Sequence, residues 1–194
     1  MQSCSMTSVI IDTDPGTDDA IALMMALQNP TLNVIGITTV GGNAHLTDTT
    51  RNTLSLLEYI DRKDVQVHVG NSDPLEGKYT HAYNYHGDGG LTVELPEPSI
   101  KPSTGDAVNF ITNKILGCSE LVDIIALGPL TNIALALTHN PALSQSVGQI
   151  IVMGGAISVP GNITARSEFN IYNDPKAANI VFSSGIPIKL VSLD

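Results

Sequence analysis

The chain has 194 residues, 42% of them hydrophobic, and a mean hydropathy of +0.15, values typical of a globular protein. Its 19 acidic and 9 basic residues give a formal net charge of −10, which argues against nucleic acid or an anionic membrane surface as partner. No apolar run approaches the ~18 residues of a membrane-spanning helix, and the first residues do not resemble a secretory signal. We therefore expect a cytoplasmic protein with one domain over residues 1–194 and with Cys4 and Cys118 as free thiols.

Short apolar runs alternate with helical patterns along most of the chain. The predicted strands are 9–11, 34–40, 65–69, 122–127, 149–153 and 188–193, and the predicted helices are 20–27, 47–60, 107–116, 131–138 and 175–182. Residues 70–105 and 154–167 show no regular period, and irregular segments of such length are usually functional or disordered. The alternation predicts an α/β fold, with an open, mostly parallel central sheet of Rossmann-like core flanked by helices.

Acidic, amide and glycine-containing segments lie where the predicted strands end. They are Asp12, Asp14, Asp18 and Asp19 after the first strand, Asn43 after the second, and the segments 128–132 and 153–155 after later ones. Ligands of open parallel sheets bind outside the carboxyl ends of the strands. The position of these residues therefore predicts a site at that edge of the sheet.

The four aspartates of this cluster lie within eight residues, and no Lys or Arg precedes Arg51. Like charges at close range raise one another's pKa or recruit a counter-ion, and carboxylates on a turn suit a hard cation such as Ca²⁺ or Mg²⁺. Asp18 and Asp19 also fit a purely structural place at a helix N-terminus, where the dipole favours acids. That alternative does not explain Asp12 and Asp14, which end a buried strand.

The segment DTDPGTDDA (12–20) resembles the signature of the nucleoside hydrolases, the N-glycosidases of purine and pyrimidine ribonucleosides. Further motifs recur in the order of that family: TTVGGN (38–43), YHGDGGL (85–91), LGPLTN (127–132), VMGG (152–155) and EFN (168–170). The resemblance extends over residues 9–194 and implies a nucleoside-hydrolase-like fold and hydrolysis of the N-glycosidic bond of ribonucleosides.

The resemblance also implies residue roles. In this family a Ca²⁺ holds the nucleophilic water and two ribose hydroxyls; its ligands here would be Asp14, Asp19 and the backbone carbonyl of Leu127. Asp14 would also be the general base, and Asp12 would orient the groups around it. The substrate-binding positions would be Asp18, Asn43, His86, Met153, Asn162, Glu168 and Asn170. Carboxylates and amide oxygens at these positions suit the positive charge that develops on ribose.

Some of these residues have ordinary structural explanations as well. Asn162 follows Pro-Gly and fits a turn, Glu168 fits a solvated acid, and Met153 fits a core residue at a strand end. His86 lies in the long irregular segment, where it is either a surface residue or a contact on the base side of the substrate. The remaining histidines match no motif and receive no role: His45, His68, His81 and His139.

Two other functions remain open at this stage. Phosphohydrolases of the haloacid-dehalogenase type also place Asp-x-Asp after a first strand to bind Mg²⁺, but Pro15-Gly16 follows the pair here and no lysine stands at a phosphate-clamp position. Members of the resembled family continue beyond the point where this chain ends and carry a His-Asp pair there; this sequence has no His-Asp dipeptide. The second alternative is therefore a truncated, inactive homologue that binds metal or ribose. The family further implies a homo-oligomer, a dimer or a tetramer.

Overall fold

The computed structural model describes residues 6–194, so that the prediction for Cys4 lies outside the described residues, whereas Cys118 is an exposed free cysteine. The strands are β1 (Thr7–Thr13), β2 (Leu32–Thr39), β3 (Val67–Val69), β4 (Val122–Ala126), β5 (Val147–Met153) and β6 (Ile188–Val191). The helices are α1 (Thr17–Gln28), α2 (Leu46–Tyr59), α3 (Tyr83–His86), α4 (Ala107–Gly117), α5 (Thr131–His139), α6 (Phe169–Asn173) and α7 (Pro175–Phe182), with a 3₁₀ helix at Pro141–Gln145.

The six strands form one sheet in the order β3-β2-β1-β4-β5-β6, and all of its pairings are parallel. The chain builds outward from β1 through β2 to β3 and then returns to place β4 on the other side of β1. This reversal creates a crevice between β1 and β4, the place where open α/β sheets bind ligands. The predicted fold class is confirmed.

The sheet is buried on both faces, which explains its continuously apolar strands. Successive side chains of a strand point to opposite faces, so Ile10 packs toward α4, α5 and α7, whereas Val9 and Ile11 pack toward α1 and α2. Both layers of helices therefore contribute to the hydrophobic core, and the two clusters share β1 as their central strand.

Two short helices were not predicted. The four-residue helix α3 lies within residues 70–105, and the five-residue helix α6 lies just after residues 154–167. Helices this short carry too few residues to show a hydrophobic period, and α6 depends on the side chain of Glu168, which accepts hydrogen bonds at its N-terminus. Of the helices within residues 6–194, none is long and apolar enough to cross a membrane.

The central position of β1 yields a test of the core. We expect Ile10→Ala to lower the free energy of unfolding by about 2–5 kcal/mol, because Ile10 is fully buried and its truncation leaves a cavity. Ile157→Ala removes the same atoms from a side chain that is 73% exposed, and we expect a change within about 0.5 kcal/mol. Urea denaturation measures both, and similar losses for the two variants would contradict the assignment of Ile10 to the core.

Candidate active site

A cavity of about 340 Å³ opens at the carboxyl ends of the strands. Its lining brings together residues from six parts of the chain: Asp18, Asp19, Asn43, His81, Ala82, Tyr85, His86, Leu127, Met153, Asn162, Ile163, Glu168, Phe169 and Asn170. All the predicted substrate-binding positions are among them, together with Asp19 and Leu127 of the predicted metal ligands. None of the lining residues is Lys or Arg, so the acidic groups face the cavity without a permanent positive charge beside them.

Asp14 lies directly after β1 and is fully buried. Its Oδ2 accepts a 2.7 Å hydrogen bond from the backbone N–H of Asn43, whereas its buried Oδ1 has no hydrogen-bond partner. Burial raises the pKa of Asp14 well above its ordinary value, and the negative charge of Asp19 raises it further. The carboxyl group is therefore poised to hold either a proton or a cation.

Two glycines make room for the Asp14 carboxyl group. A Cβ atom at Gly42 would lie 2.0 Å from Oδ2, and one at Gly128 would lie 2.5 Å from Oδ1. Both distances are far shorter than a van der Waals contact. The motifs TTVGGN and LGPLTN therefore need glycine at these positions because any side chain would displace Asp14, a requirement that the sequence alone did not reveal.

Asp12, for which the resemblance implies an orienting role, is fully buried at the end of β1. Its Oδ1 accepts hydrogen bonds from the Thr38 hydroxyl at 2.5 Å and from the Asn132 side-chain amide at 2.8 Å, and its buried Oδ2 has no partner. Burial raises the pKa of Asp12 to about 7, although these two hydrogen bonds act in the opposite direction.

Asn132 belongs to the motif LGPLTN, and no role was predicted for it from the sequence. In the structure its side chain holds Asp12. Besides holding Asp12, its side-chain amide donates to the backbone carbonyl of Thr39 at 3.0 Å, and its carbonyl oxygen accepts two hydrogen bonds from Asn71. Asn132 is completely buried in the first turn of α5. It therefore fixes the ends of β1 and β2 and the start of the long irregular segment relative to one another.

Asp19 lies in the first turn of α1 and also lines the cavity. Its Oδ2 accepts a 2.9 Å hydrogen bond from the N–H of Gly16 at the start of α1 and a second, also 2.9 Å, from the Asn43 side chain. Burial raises the pKa of Asp19 to about 7, and the charge of Asp18 adds to the effect. The Asn43 side chain also donates to the backbone carbonyl of Asp14 at 3.2 Å, so it connects the Asp19 carboxylate to the backbone of Asp14.

The opposite wall of the cavity is built around α6. The side-chain amide of Asn170 donates to the carbonyls of Leu127 at 2.8 Å and Met153 at 3.2 Å. The explanation of Glu168 as a solvated acid is wrong, because its side chain is only 2% exposed and accepts hydrogen bonds from the N–H groups of Gly155, Asn170 and Ile171.

Asn162 has a structural contact in addition to its place in the lining. Its side-chain oxygen accepts a 2.8 Å hydrogen bond from the N–H of Phe169, at the start of α6. The residue therefore ties segment 154–167 to the helix that carries Asn170, which is more than a turn position requires. Met153 is partly buried at the end of β5, beside the cavity.

Two histidines line the cavity on the side of segment 70–105. His86 was predicted there; its Nδ1 accepts a hydrogen bond from the N–H of Thr17 at 3.3 Å, and its ring lies against Gly16. His81 was assigned no role, yet it lines the same cavity with Nδ1 2.8 Å from the carbonyl oxygen of Gly42. The other described histidines, among them His68 stacked on Phe110, do not line it.

The residues at this edge suit a hard cation. Among residues 6–194 no group of three or more His, Cys, Asp and Glu side chains is arranged as a metal site. The predicted donor set instead consists of the Asp14 and Asp19 carboxylates and the carbonyl of Leu127, all oxygen ligands. Oδ1 of Asp14 is buried without a hydrogen-bond partner or a neighbouring basic group, an arrangement that fits such an ion.

The buried acids lead to a prediction about pH. In the metal-free protein, kept in chelator at constant ionic strength, we expect the free energy of unfolding to fall by a few kcal/mol as the pH rises from about 4 through about 7. The folded pKa values of Asp12 and Asp19 are near 7 against an ordinary 3.8, so the folded state binds more protons over this range and loses stability as they leave. Urea titrations test this, and we expect a shallower slope for Asp12→Asn. A flat profile would contradict the burial of these groups.

The close contacts of the glycines lead to a prediction about stability. We expect Gly42→Ala to lower the free energy of unfolding by about 1–3 kcal/mol, because the new methyl group and the Asp14 carboxyl group cannot occupy the same space. Gly117→Ala is the matched control, since no heavy atom lies within 4 Å of the added Cβ there. Denaturation of both variants in the same buffer gives the comparison, and an unchanged stability of Gly42→Ala would show that the carboxyl group has room to move.

Comparisons with known proteins show the family. The family model described as inosine-uridine preferring nucleoside hydrolase matches residues 9–194. The pyrimidine-specific ribonucleoside hydrolase RihA of Salmonella schwarzengrund is 46% identical over 187 residues, which are 96% of this chain and 60% of that protein. The chain thus spans about 60% of the length of the relatives it matches.

Solved structures show the same relationship. A plant nucleoside hydrolase, the PpNRh1 enzyme, has a TM-score of 0.92 and 41% identity, with coverage of 96% of this chain and 60% of that one. The purine-preferring ribonucleoside hydrolase from Gardnerella vaginalis has a TM-score of 0.92 and 34% identity, with coverage of 96% and 61%. Since the family model spans nearly the whole chain and the fold agrees, this chain belongs to the nucleoside hydrolase family.

Proposed function

We propose that this chain carries a site that hydrolyses the N-glycosidic bond of ribonucleosides to ribose and free base. The observation that carries the proposal is the buried Asp14 carboxyl group with its unpartnered Oδ1, at the point where the order of strands reverses. The adjoining cavity of about 340 Å³ falls within the ~300–1,000 Å³ range of small-molecule sites. Family membership and the names of the matched relatives support the reaction class.

Asp14 is our candidate for the general base. Burial raises its pKa, which makes the carboxylate a stronger acceptor for the proton of an attacking water than an exposed aspartate. The hydrogen bond from the N–H of Asn43 fixes one carboxylate oxygen and leaves Oδ1 available. Asp12, tied to Asn132 and Thr38, keeps the end of β1 in place behind it.

The residues that would hold a divalent cation are Asp14, Asp19 and the carbonyl of Leu127; every donor is a hard oxygen, and Ca²⁺ is our candidate because the resemblance to the nucleoside hydrolases implies it. When bound, such an ion lowers the pKa of a water molecule and supplies the positive charge that these carboxylates lack. Asn43 holds the two carboxylates together, because its backbone N–H donates to the carboxylate of Asp14 and its side chain donates to that of Asp19.

The remaining polar residues suit the ribose. Cleavage of the glycosidic bond develops positive charge on the sugar ring, which fixed negative groups in a partly dry cavity stabilise. Asp18 and the buried Glu168 supply carboxylates, while Asn43, Asn162 and Asn170 supply amide groups next to them. Met153 offers an apolar surface for the sugar.

In this arrangement the nucleobase would lie on the other side of the cavity, which is lined by His86 and its neighbours. Of the matched relatives, one is named pyrimidine-specific and another purine-preferring. We propose the general class of purine or pyrimidine ribonucleosides for this chain, in a cytoplasmic homo-oligomer. Neither the family match nor the structural likeness favours a haloacid-dehalogenase-type phosphohydrolase.

A substrate panel tests the proposal. Inosine, uridine, cytidine and adenosine are incubated with the protein, with added Ca²⁺ or with chelator, and release of the base is measured. We expect turnover of at least one nucleoside that depends on the cation. Calorimetric Ca²⁺ binding without turnover of any nucleoside would instead favour the binding-only alternative, and turnover of p-nitrophenyl phosphate alone would favour a phosphohydrolase.

The role of Asp14 is tested by Asp14→Asn, which preserves the shape of the side chain. We expect kcat to fall by about 10²–10⁴-fold through loss of the base, with weaker Ca²⁺ binding by calorimetry. Asp73→Asn, at an exposed aspartate outside the cavity lining, serves as the matched control and should keep wild-type turnover. Wild-type turnover by Asp14→Asn would overturn the assignment of the base.

A further inference from the structure

His81 is held in the cavity by contacts that the sequence motifs do not include. Its Nδ1 lies 2.8 Å from the carbonyl oxygen of Gly42, and the backbone N–H of the next residue, Ala82, donates to the carbonyl of Asn43 at 2.8 Å. Gly42 and Asn43 are also the residues that contact the Asp14 carboxyl group. The His81 ring is therefore fixed relative to the acidic cluster, although it belongs to the long irregular segment.

The contact with Gly42 determines the tautomer of His81. A carbonyl oxygen only accepts hydrogen bonds, so Nδ1 must carry the hydrogen, and Nε2 of the neutral ring is an acceptor. Nε2 has no hydrogen-bond partner within the described part of the chain. An acceptor without a partner in a ligand-sized cavity is available to a ligand.

His86 has the opposite tautomer. Its Nδ1 accepts from the backbone N–H of Thr17, so Nε2 of the neutral ring carries the hydrogen and is a donor. Both histidines line the same cavity, His81 with an acceptor at Nε2 and His86 with a donor there. Heterocyclic bases, unlike ribose, offer a neighbouring N–H and acceptor in one plane.

We propose that Nε2 of His81 accepts a hydrogen bond from an N–H group of the nucleobase and so determines specificity for bases that carry one. This inference rests on the proposed ribonucleoside hydrolysis. The carboxylates and amides that suit the ribose come from the strand ends, α1 and α6, whereas His81, Tyr85 and His86 come from residues 81–86. A nucleoside whose ribose contacts the former group has its base against the latter.

Two substitutions separate this role from a structural one. His81→Asn places an amide N–H where Nδ1 was, so it can keep the hydrogen bond to Gly42, but it has nothing at the position of Nε2. His81→Gln places its amide oxygen near the position of Nε2 and loses the close contact with Gly42. A base-contacting role predicts that Gln preserves more activity than Asn, whereas a purely structural role predicts the reverse.

Matched nucleosides supply the second half of the test. Inosine and uridine carry a ring N–H, while purine riboside and pyrimidin-2-one riboside lack it without any added bulk. For the N–H substrates we expect His81→Asn to lower kcat/KM by about tenfold to a hundredfold, and His81→Gln to recover most of that loss. For the two analogues we expect the wild-type protein and both variants to agree within about threefold.

The outcomes distinguish the inference from the function on which it rests. Equal losses on all four substrates, or better activity for Asn than for Gln, would overturn the role of His81 while leaving the hydrolysis in place. If the wild-type protein turns over none of the four, the proposed hydrolysis by this chain fails. The contact is then tested with dissociation constants measured by calorimetry. Weaker binding of inosine and uridine alone by His81→Asn supports the contact. Equal binding of all four nucleosides by the wild type and the variant, or no binding of any nucleoside, overturns it.

Discussion

The structure depends on a pair of carboxyl groups, Asp12 and Asp14, buried at the end of the central strand without a basic partner. Removing a carboxylate from water is strongly unfavourable unless a proton, a cation or hydrogen-bond donors replace the lost hydration. Each of these groups receives donors on one oxygen and none on the other. The site is thus left with two unpartnered oxygens, and a proton or a hard cation would satisfy them.

The topology of the sheet explains how such a costly arrangement is maintained. β1 pairs with β2 on one side and β4 on the other, so that its end is fixed by two ladders; Asp12 lies opposite Thr38 in the first and Ala126 in the second. Asn132 then connects Asp12, the end of β2 and Asn71 through one side chain. A rigid core of two helical layers surrounds the strand, and the cost of burying the carboxyl groups is offset by the packing of that core.

The sequence was sufficient for the fold class because that depends on local patterns, and most of the cavity lining followed from the resemblance to the nucleoside hydrolases. Continuous apolar runs identify buried parallel strands, and the motif order brought Asp19, Asn43, Leu127 and Asn170 into one set before any geometry was known. The need for glycine at 42 was not visible in the same way. It arises from Asp14, 28 positions away in the sequence, and depends on how closely two strand ends approach.

The contacts of two side chains were not visible in the sequence. Glu168 fits a solvated acid as well as a binding residue because glutamate is not among the preferred N-cap residues, and its third donor, the N–H of Gly155, lies 13 positions earlier. His81 matches no motif, and its contact with Gly42 spans 39 positions. Short helices such as α3 and α6 lack a hydrophobic period altogether, so the chemistry of their caps and contacts, rather than their pattern, determines where they form.

Gly42 and Asn43 connect the two sides of the cavity through four contacts. The N–H of Asn43 holds the Asp14 carboxyl group and its carbonyl receives the N–H of Ala82, while the Cα of Gly42 faces Asp14 and its carbonyl fixes His81. A shift of this dipeptide therefore moves the Asp14 carboxyl group and the His81 ring together. Because both groups share one support, a change in segment 81–86 that strains these contacts is transmitted to Asp14, and under the proposed roles it would alter base selection and chemistry together.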